Sequence, residues 1–139
     1  LFRSERKKNV RYWVKVLDSF PWLKPVCGEN DLIKKPLPLL RLPVWVQNIR
    51  LRDALLNVSE SCGLGIMPSY PAPVDEIKEL GFTNKDQFYP GARQSAACLL
   101  TFPVHGFVSS IDRRRIAAGM ASISATNSLS ESSQRASIA

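Results

Sequence analysis

An apolar segment followed by a capped helix occupies residues 99–121, and this unit constrains the fold more than any other part of the chain. The apolar run over residues 100–104 is typical of a strand. Ser109, with Asp112 three residues later, resembles a capping box in which Asp replaces the usual Glu. A helix is therefore predicted to begin there and to continue to about residue 121. A strand that leads almost directly into a helix favours a domain in which helices cover a sheet.

Apolar periodicity predicts further helices upstream of this unit. Over residues 3–17 and again over residues 50–62, apolar side chains recur at helical spacing and form one stripe. Gly63 is well suited to a left-handed C-terminal cap of the second helix. Shorter helices are predicted over residues 75–80 and 90–99. The two longer stripes consist of Val10, Trp13, Val14 and Leu17, and of Leu51, Ala54, Leu55, Val58 and Cys62.

Residues 37–47 alternate between apolar and other side chains with a period of two, as a strand with one buried face does. Pro38 and Pro43 cannot donate hydrogen bonds to a neighbouring strand, so this strand is predicted to lie at a sheet edge or to contain a bulge. A short extended segment is predicted over residues 64–67. The proline-rich run that follows, residues 68–73, is predicted to be a rigid loop around Tyr70.

The predicted elements alternate between helix and strand, with loops over residues 18–36 and 82–90. This order predicts a small α/β or α+β domain of two layers, in which helices cover one face of a short mixed or antiparallel sheet. The chain divides into a helix with a basic segment (1–24), the main domain (25–121) and a Ser-rich tail (122–139). The tail is predicted to be disordered because its seven serines and few large apolar groups cannot offset the entropy of ordering.

Positive charge is concentrated near the N-terminus. The net charge is +7, and residues 1–24 hold seven basic and two acidic side chains. Such a segment can bind nucleic acid or an anionic surface, although it is more often a solvated helix face or part of a subunit contact. No aromatic-plus-basic platform or helix-turn-helix spacing accompanies the charge, so no nucleic acid partner is expected.

Composition and motif content exclude several functional classes. No apolar run approaches the roughly 20 residues of a membrane helix, and the charged N-terminal segment lacks the apolar region of a signal peptide. We therefore expect no membrane partner and a cytoplasmic location. Cys27, Cys62 and Cys98 lie far apart without metal-ligand spacing, so no metal site is predicted. The sequence contains no GxSxG elbow, P-loop or GxGxxG motif.

Three side chains are candidates for ligand binding. His105, the only histidine, follows the last predicted strand, and functional residues often lie on loops at such places. The Tyr70 phenol, held between prolines, can bond a ligand hydroxyl or phosphate. Arg41 can clamp a carboxylate or phosphate with two parallel hydrogen bonds. A structural interpretation stays open for each: a histidine bonded to a nearby carbonyl, a tyrosine that seals its loop, and an arginine on a solvated face.

Residues 40–120 resemble the C-terminal domain of the DegT/DnrJ/EryC1/StrS aminotransferases. The resemblance rests on an ordered set of short segments, and residues 1–24 match the helix that links the two domains of these enzymes. The segments are Leu40-Arg41-Leu42-Pro43-Val44-Trp45-Val46, the helix to Cys62-Gly63, Gly65-Ile66 with Ser69-Tyr70-Pro71, Tyr89-Pro90-Gly91-Ala92-Arg93, Leu99-Leu100-Thr101-Phe102-Pro103-Val104-His105, and the closing helix with Asp112 and Ile116.

The resemblance implies the small domain of a fold-type-I enzyme that uses pyridoxal 5′-phosphate. Such enzymes transfer an amino group from an amino acid, commonly glutamate, to a nucleotide-linked keto sugar in polysaccharide biosynthesis, and they are usually homodimers. A lysine of their large N-terminal domain holds the cofactor. None of the eight lysines here lies in a matching context, so the resemblance implies a C-terminal fragment that is inactive alone and carries no catalytic residue.

The small domain of these enzymes closes over the substrate, which implies that Tyr70, His105 and Arg41 bind the sugar nucleotide. Two alternatives to the enzyme fragment stay open. The chain can be a non-functional remnant, and the Ser-rich tail departs from the family, whose chains usually end near the last helix. It can also be a stand-alone module that binds nucleic acid or an anionic surface through its basic segment.

Overall fold

Four helices and four short strands lie along the described part of the chain, which in the computed structural model comprises residues 2–28, 32, 34, 39–78 and 89–136. The helices within these ranges are α1 (Phe2–Leu17), α2 (Ile49–Cys62), α3 (Pro90–Cys98) and α4 (Ser110–Ala136). The strands are β1 (Leu23–Pro25), β2 (Arg41–Val46), β3 (Met67–Pro68) and β4 (Leu99–Pro103). A single turn of 3-10 helix, Val74–Glu76, precedes α3. Every longer helix predicted from periodicity is confirmed.

The strands form one antiparallel sheet in the order β1-β2-β4-β3. In its register Val44 pairs with Leu100, and Thr101 pairs with Pro43 on one side and with Met67 on the other. The prediction of a two-layer domain with an antiparallel sheet is thereby confirmed. Strand β1 was not predicted, because its three residues lie in a segment whose prolines indicate a loop.

The prediction that the proline-bearing strand lies at an edge or contains a bulge is wrong. Strand β2 lies between β1 and β4, and its pairing with β4 is one-to-one over all five pairs. The Pro43 carbonyl accepts a hydrogen bond from the Val26 N–H at 3.1 Å, so the Pro43 backbone faces β1 rather than β4. Because the Pro43 backbone faces away from β4, its missing N–H removes no bond from the central β2–β4 ladder. On the other side, β1 already ends at Pro25.

The core lies between one face of the sheet and helices α1, α2 and α4. From α1, the Trp13 ring packs edge-on against Phe102 with a centroid separation of 5.5 Å, and its indole N–H donates to the Pro103 carbonyl at 2.9 Å. Residues 1–24 therefore share one core with the main domain. The largest fully buried side chains of this core are Trp13, Phe102, Leu17, Leu32, Leu42, Leu55, Leu100, Ile116 and Met120.

The opposite face of the sheet is only partly covered. Arg41, Pro43 and Trp45 of β2 and Thr101 of β4 project from this face, and each is half-buried. The period of two predicted for β2 is thus confirmed, with Leu42, Val44 and Val46 on the core face.

Local capping explains where α2 begins and ends and where α4 begins. The Asn48 side chain accepts from the Leu51 N–H at the start of α2, and Gly63 ends that helix in the left-handed conformation, with φ 62°. This confirms the predicted glycine cap. The predicted capping box is also present: the Asp112 carboxylate accepts from the Ser109 N–H at 2.9 Å, and the Ser109 hydroxyl accepts from the Asp112 N–H at 3.2 Å.

The prediction that residues 122–139 form a disordered tail is wrong for residues 122–136, which continue α4. Ile123 is 8% exposed and extends the core, and the Ser124 hydroxyl accepts from the Trp22 indole N–H at 2.8 Å. Four hydroxyls in the described part of this segment bond to carbonyls of the preceding turn, those of Ser122, Ser124, Thr126 and Ser128. Docking of one helix face, rather than composition, decides the outcome.

Parts of five predictions lie outside the described residues. These are residues 29–31, 33 and 35–36 of the first loop, residues 37–38 of the predicted strand, residues 79–80 of the predicted helix over 75–80, residues 82–88 of the second loop, and residues 137–139 of the predicted tail. None of the helices in the described part of the chain combines the length and the apolar character that crossing a lipid bilayer requires.

Candidate functional site

A tight loop carries His105 from the end of β4 to the start of α4. The Val108 N–H donates to the His105 carbonyl at 3.1 Å and closes a turn. The His105 side chain is exposed, and Phe107 beside it is 84% exposed, with 6.2 Å between the two ring centroids. We call residues 104–109 the His105 loop. Its backbone is internally bonded, while its aromatic side chains face solvent.

A side chain of helix α1 is hydrogen-bonded to the backbone of this loop. The Asn9 side chain is buried and donates through Nδ2 to the carbonyls of Val104 and His105, at 3.3 and 2.9 Å. Its Oδ1 accepts from Nη1 of Arg113 at 2.8 Å. Asn9 was not predicted as a functional residue, although one signal was present: it is a polar side chain four residues before Trp13, next to the apolar stripe of α1.

The first turn of α4 places a negative charge near the His105 loop. Hydrogen bonds from the Ser109 hydroxyl and, secondarily, from the Ser109 N–H lower the pKa of the Asp112 carboxyl, and the charges of Arg115 and His105 act in the same direction. The ionised form of Asp112 is therefore favoured. Its carboxylate caps the helix and interacts favourably with the positive N-terminal end of the helix dipole.

Arg41 pairs with Pro103 in the sheet, and its side chain is engaged within the fold. Its Nε donates to Oγ1 of Thr101 at 2.7 Å and its Nη2 to the Thr101 carbonyl at 2.9 Å, and Nη2 also bonds the Gly65 carbonyl. Partial burial lowers the pKa of its guanidinium group. The group thus crosslinks β2, β4 and the turn at Gly65. These bonds use Nε and Nη2. Among the described residues they leave Nη1 of Arg41 available to a ligand.

Tyr70 lies at the other end of β4. The Ser69 N–H donates to the Leu99 carbonyl at 2.9 Å, which places Tyr70 beside the start of that strand, and its side chain is 54% exposed. The four residue steps of β4, from Leu99 to Pro103, span about 13 Å, and His105 lies two residues beyond the end of this strand. The structure therefore places Tyr70 and His105 beyond opposite ends of β4, with the Arg41 guanidinium bonded to Thr101 between them. A ligand that contacts both Tyr70 and His105 has to be long.

The segment after Tyr70 is tied to α3 by an arginine. Arg93 forms ion pairs with Asp75, at 2.6 Å, and with Glu76. These contacts fix the far end of the proline-rich loop, whose near end is held by the pairing of β3 with β4.

The described residues do not form a site that fits pyridoxal phosphate. Such a site needs an enclosed lysine and a cradle for the phosphate. Six lysines lie in the described ranges, and each is exposed: Lys7, Lys8, Lys15, Lys24, Lys34 and Lys78. Two grooves of about 360 and 520 Å³ run between α2 and α4, and neither contains a lysine. The described residues also contain no cluster of three side chains that could hold a metal ion.

The geometry can bind and orient a ligand but cannot shield a reaction. His105 and Phe107 lie on the exposed loop that follows β4, where water reaches both side chains. Chemistry on a reactive intermediate requires exclusion of water. A second surface that covers this end is therefore needed for catalysis.

Comparisons with known proteins place the fold among aminotransferases. No protein-family profile matches the chain, and no curated protein matches it by sequence. Among solved structures, the aminotransferase TlmJ from Streptoalloteichus hindustanus matches with a TM-score of 0.73 and 18% identity, over 91% of this chain and 33% of its own. The aminotransferase from Psychrobacter cryohalolentis matches with a TM-score of 0.71 and 18% identity, over 90% of this chain and 35% of its own.

A third structure, described as a sugar aminotransferase (Spr1654) from Streptococcus pneumoniae in its PMP form, matches with a TM-score of 0.69 and 17% identity, over 90% of this chain and 31% of its own. These similarities show that the chain has a fold found in aminotransferases. The chain spans about one third of the length of these proteins.

Proposed function

We propose that this chain is the small domain of a pyridoxal-phosphate-dependent sugar aminotransferase of the DegT/DnrJ/EryC1/StrS family. The complete enzyme would transfer an amino group, with glutamate as the donor, to a nucleotide-linked keto sugar in polysaccharide biosynthesis. It would act as a cytoplasmic homodimer. The cofactor would be bound by the large domain, since the described residues offer no lysine that fits it.

One observation supports this proposal above the others. Nine-tenths of the chain superimposes on about one third of several aminotransferases, and one of these is described as a sugar aminotransferase with bound PMP. The described residues thus account for a domain-sized part of such an enzyme and leave its cofactor site to the rest. The ordered motifs from Leu40 to His105 support the finer family assignment.

The chain's own residues would bind and orient the sugar nucleotide. His105 would donate or accept a hydrogen bond beyond the end of β4, and Nη1 of Arg41 would face an anionic or carbonyl oxygen of the ligand. Tyr70, beyond the start of β4, would contact the other end of an extended ligand. A nucleotide-linked sugar has the length that this separation requires, whereas a free amino acid does not.

The test is expression of the complete reading frame that encodes these residues, followed by purification with pyridoxal phosphate. We expect a bound-cofactor absorbance band and amination of a nucleotide-linked keto sugar in the presence of glutamate. The isolated 139-residue chain, treated identically, is the control and should give no such band. A full-length product that binds the cofactor but aminates only free amino-acid-derived keto acids would overturn the sugar assignment. A band from the isolated chain would overturn the small-domain assignment.

A further inference from the structure

The buried carboxamide of Asn9 has a place in the fold that capping and core packing do not explain. Among the described residues, the polar side chains that are fully buried are Asn9, at 1% exposure, and Ser59, at 3%. A buried amide is costly unless all its groups are bonded, so its partners indicate what it does. Ser59 bonds the backbone of Ile66, within the turn that follows its own helix. Asn9 instead bonds residues that lie 95 to 104 positions away in the chain.

The partners of Asn9 fix the orientation of its amide. The carbonyls of Val104 and His105 can only accept hydrogen bonds, and the Arg113 guanidinium can only donate them. Nδ2 must therefore face the loop and Oδ1 must face α4, as the distances of 2.9 Å to His105 and 2.8 Å to Arg113 show. Aspartate lacks the donors that the two carbonyls need, and leucine lacks both functions.

Arg113, the member of this network that lies on α4, is held in place by a second contact. The Arg113 guanidinium lies over the Tyr12 ring, 4.7 Å from its centroid, and Tyr12 is three residues after Asn9 on α1. Arg113 thus contacts α1 through a hydrogen bond and a cation–π contact at once. The Asn9 amide cannot move without breaking its bonds to both the loop and α4.

The residue whose backbone this network holds is His105. Its carbonyl accepts from both Asn9 Nδ2 and the Val108 N–H, so the backbone of this residue is held on two sides while its imidazole remains exposed. A loop that contains Gly106 and two exposed aromatic rings would otherwise sample several conformations. Exact placement of a ligand-binding group is what lowers the cost of binding.

We infer that Asn9 is the positioning residue for His105, so that the basic N-terminal helix determines where the imidazole meets its ligand. The effect on ligand binding rests on the proposed function, but the effect on the His105 loop does not. Asn9 acts through His105 and does not contact the ligand itself.

The test on the 139-residue chain uses the single histidine as a spectroscopic probe. Because His105 is the only histidine, its ring C–H signals are identified in an NMR spectrum without assignment. In Asn9→Asp, which keeps the shape but removes both donors, we expect these signals to shift and broaden. Ser59→Ala is the matched control: it also removes buried hydrogen bonds, and it should leave the signals in place. Circular dichroism establishes that both variants are folded, and Asn9→Ser replaces Asn9→Asp where the latter does not fold. Unchanged ring signals in the folded Asn9 variant overturn the inference.

The complete enzyme separates this inference from the proposed function. Asn9→Asp should raise the KM for the nucleotide-linked keto sugar about fivefold to tenfold with little change in the KM for glutamate. If His105→Ala raises that KM and Asn9→Asp does not, the positioning role is wrong. If His105→Ala itself leaves the KM unchanged, the assignment of His105 to the substrate site fails, while shifted ring signals would still support the structural coupling of Asn9 to the loop.

Discussion

Val58 and Gly119 meet where α2 crosses α4: a Cβ atom placed on Gly119 would lie 2.9 Å from Cγ1 of Val58. Contacts this short do not occur between real side chains, and a valine on a helix has one strongly preferred rotamer, so it cannot turn away. The two helices can therefore approach this closely only because residue 119 has no side chain.

Gly119→Ala should accordingly destabilise the domain by about 1–3 kcal/mol through overpacking, reduced by up to about 1 kcal/mol of gained helix propensity. The measurement is urea unfolding followed by circular dichroism. Gly91→Ala is the control, because a Cβ there meets nothing within 4 Å. The double variant Val58→Ala/Gly119→Ala should recover most of the Gly119→Ala loss. Full additivity of the two single changes would contradict the packing explanation.

Replacement of Arg41 tests whether its side chain stabilises the fold through its internal hydrogen bonds or is free to bind a ligand. Arg41→Lys should destabilise the domain by about 1–2 kcal/mol, because an ammonium group cannot donate to the Thr101 side chain, the Thr101 carbonyl and the Gly65 carbonyl in this fixed geometry. Thermal unfolding measures the loss, with Arg50→Lys at an exposed position as the control. Equal stability of Arg41→Lys and the parent chain would mean that these bonds contribute nothing net.

Asp112 gives the domain a pH dependence with a definite sign. Its pKa in the folded chain is lowered below the ordinary value of 3.8, mainly by the Ser109 hydroxyl. A carboxyl whose folded pKa is lowered contributes stability above its ordinary pKa and loses that contribution as pH falls through the folded pKa. The stability advantage of the parent over Asp112→Ala should therefore be constant near neutral pH and shrink in acid. Urea midpoints at several pH values measure it, and an advantage that grows on acidification would refute this assignment.

His105 and Tyr70 should affect substrate binding independently. In the complete enzyme, His105→Ala and Tyr70→Phe should each raise the KM for the nucleotide-linked keto sugar or lower turnover, by about tenfold for His105→Ala and less for Tyr70→Phe. Because the whole of β4, about 13 Å long, separates the two residues, their effects in the double variant should add as free energies. Steady-state kinetics measures both. Wild-type kinetics in both single variants would remove these residues from the site, and strong coupling would contradict their separation.

Local signals in the sequence were sufficient for much of the architecture. The apolar stripe of α1, the glycine cap at Gly63 and the Ser109–Asp112 box each depend on residues within one or two turns, so their outcome does not require knowledge of the rest of the fold. The alternation in β2 likewise reports a strand with one buried face. The motifs around His105 were enough to select that loop as a candidate site.

Other features depended on neighbours that are distant in sequence. A proline inside β2 was predicted to lie at an edge, but the direction of its missing N–H and the short length of β1 make a central position acceptable. Asn9 could not be connected to the His105 loop without the structure, because its bonds span about 95 residues. The same holds for Arg41, whose exposed-face position gave no sign of its three internal acceptors.

What the sequence by itself determined is helices α1, α2 and α3, the start of α4, strands β2 and β4, and the caps at Gly63 and Ser109, since these follow from periodicity and from short-range hydrogen bonding. Only the tertiary structure decided that residues 122–136 are helical, that Tyr70 and His105 lie at opposite ends of β4, and that α1 holds the His105 loop. The physical reason is that composition sets the intrinsic cost of ordering a segment, whereas packing against distant residues, such as Ile123 in the core and Trp22 against Ser124, supplies the free energy that offsets it.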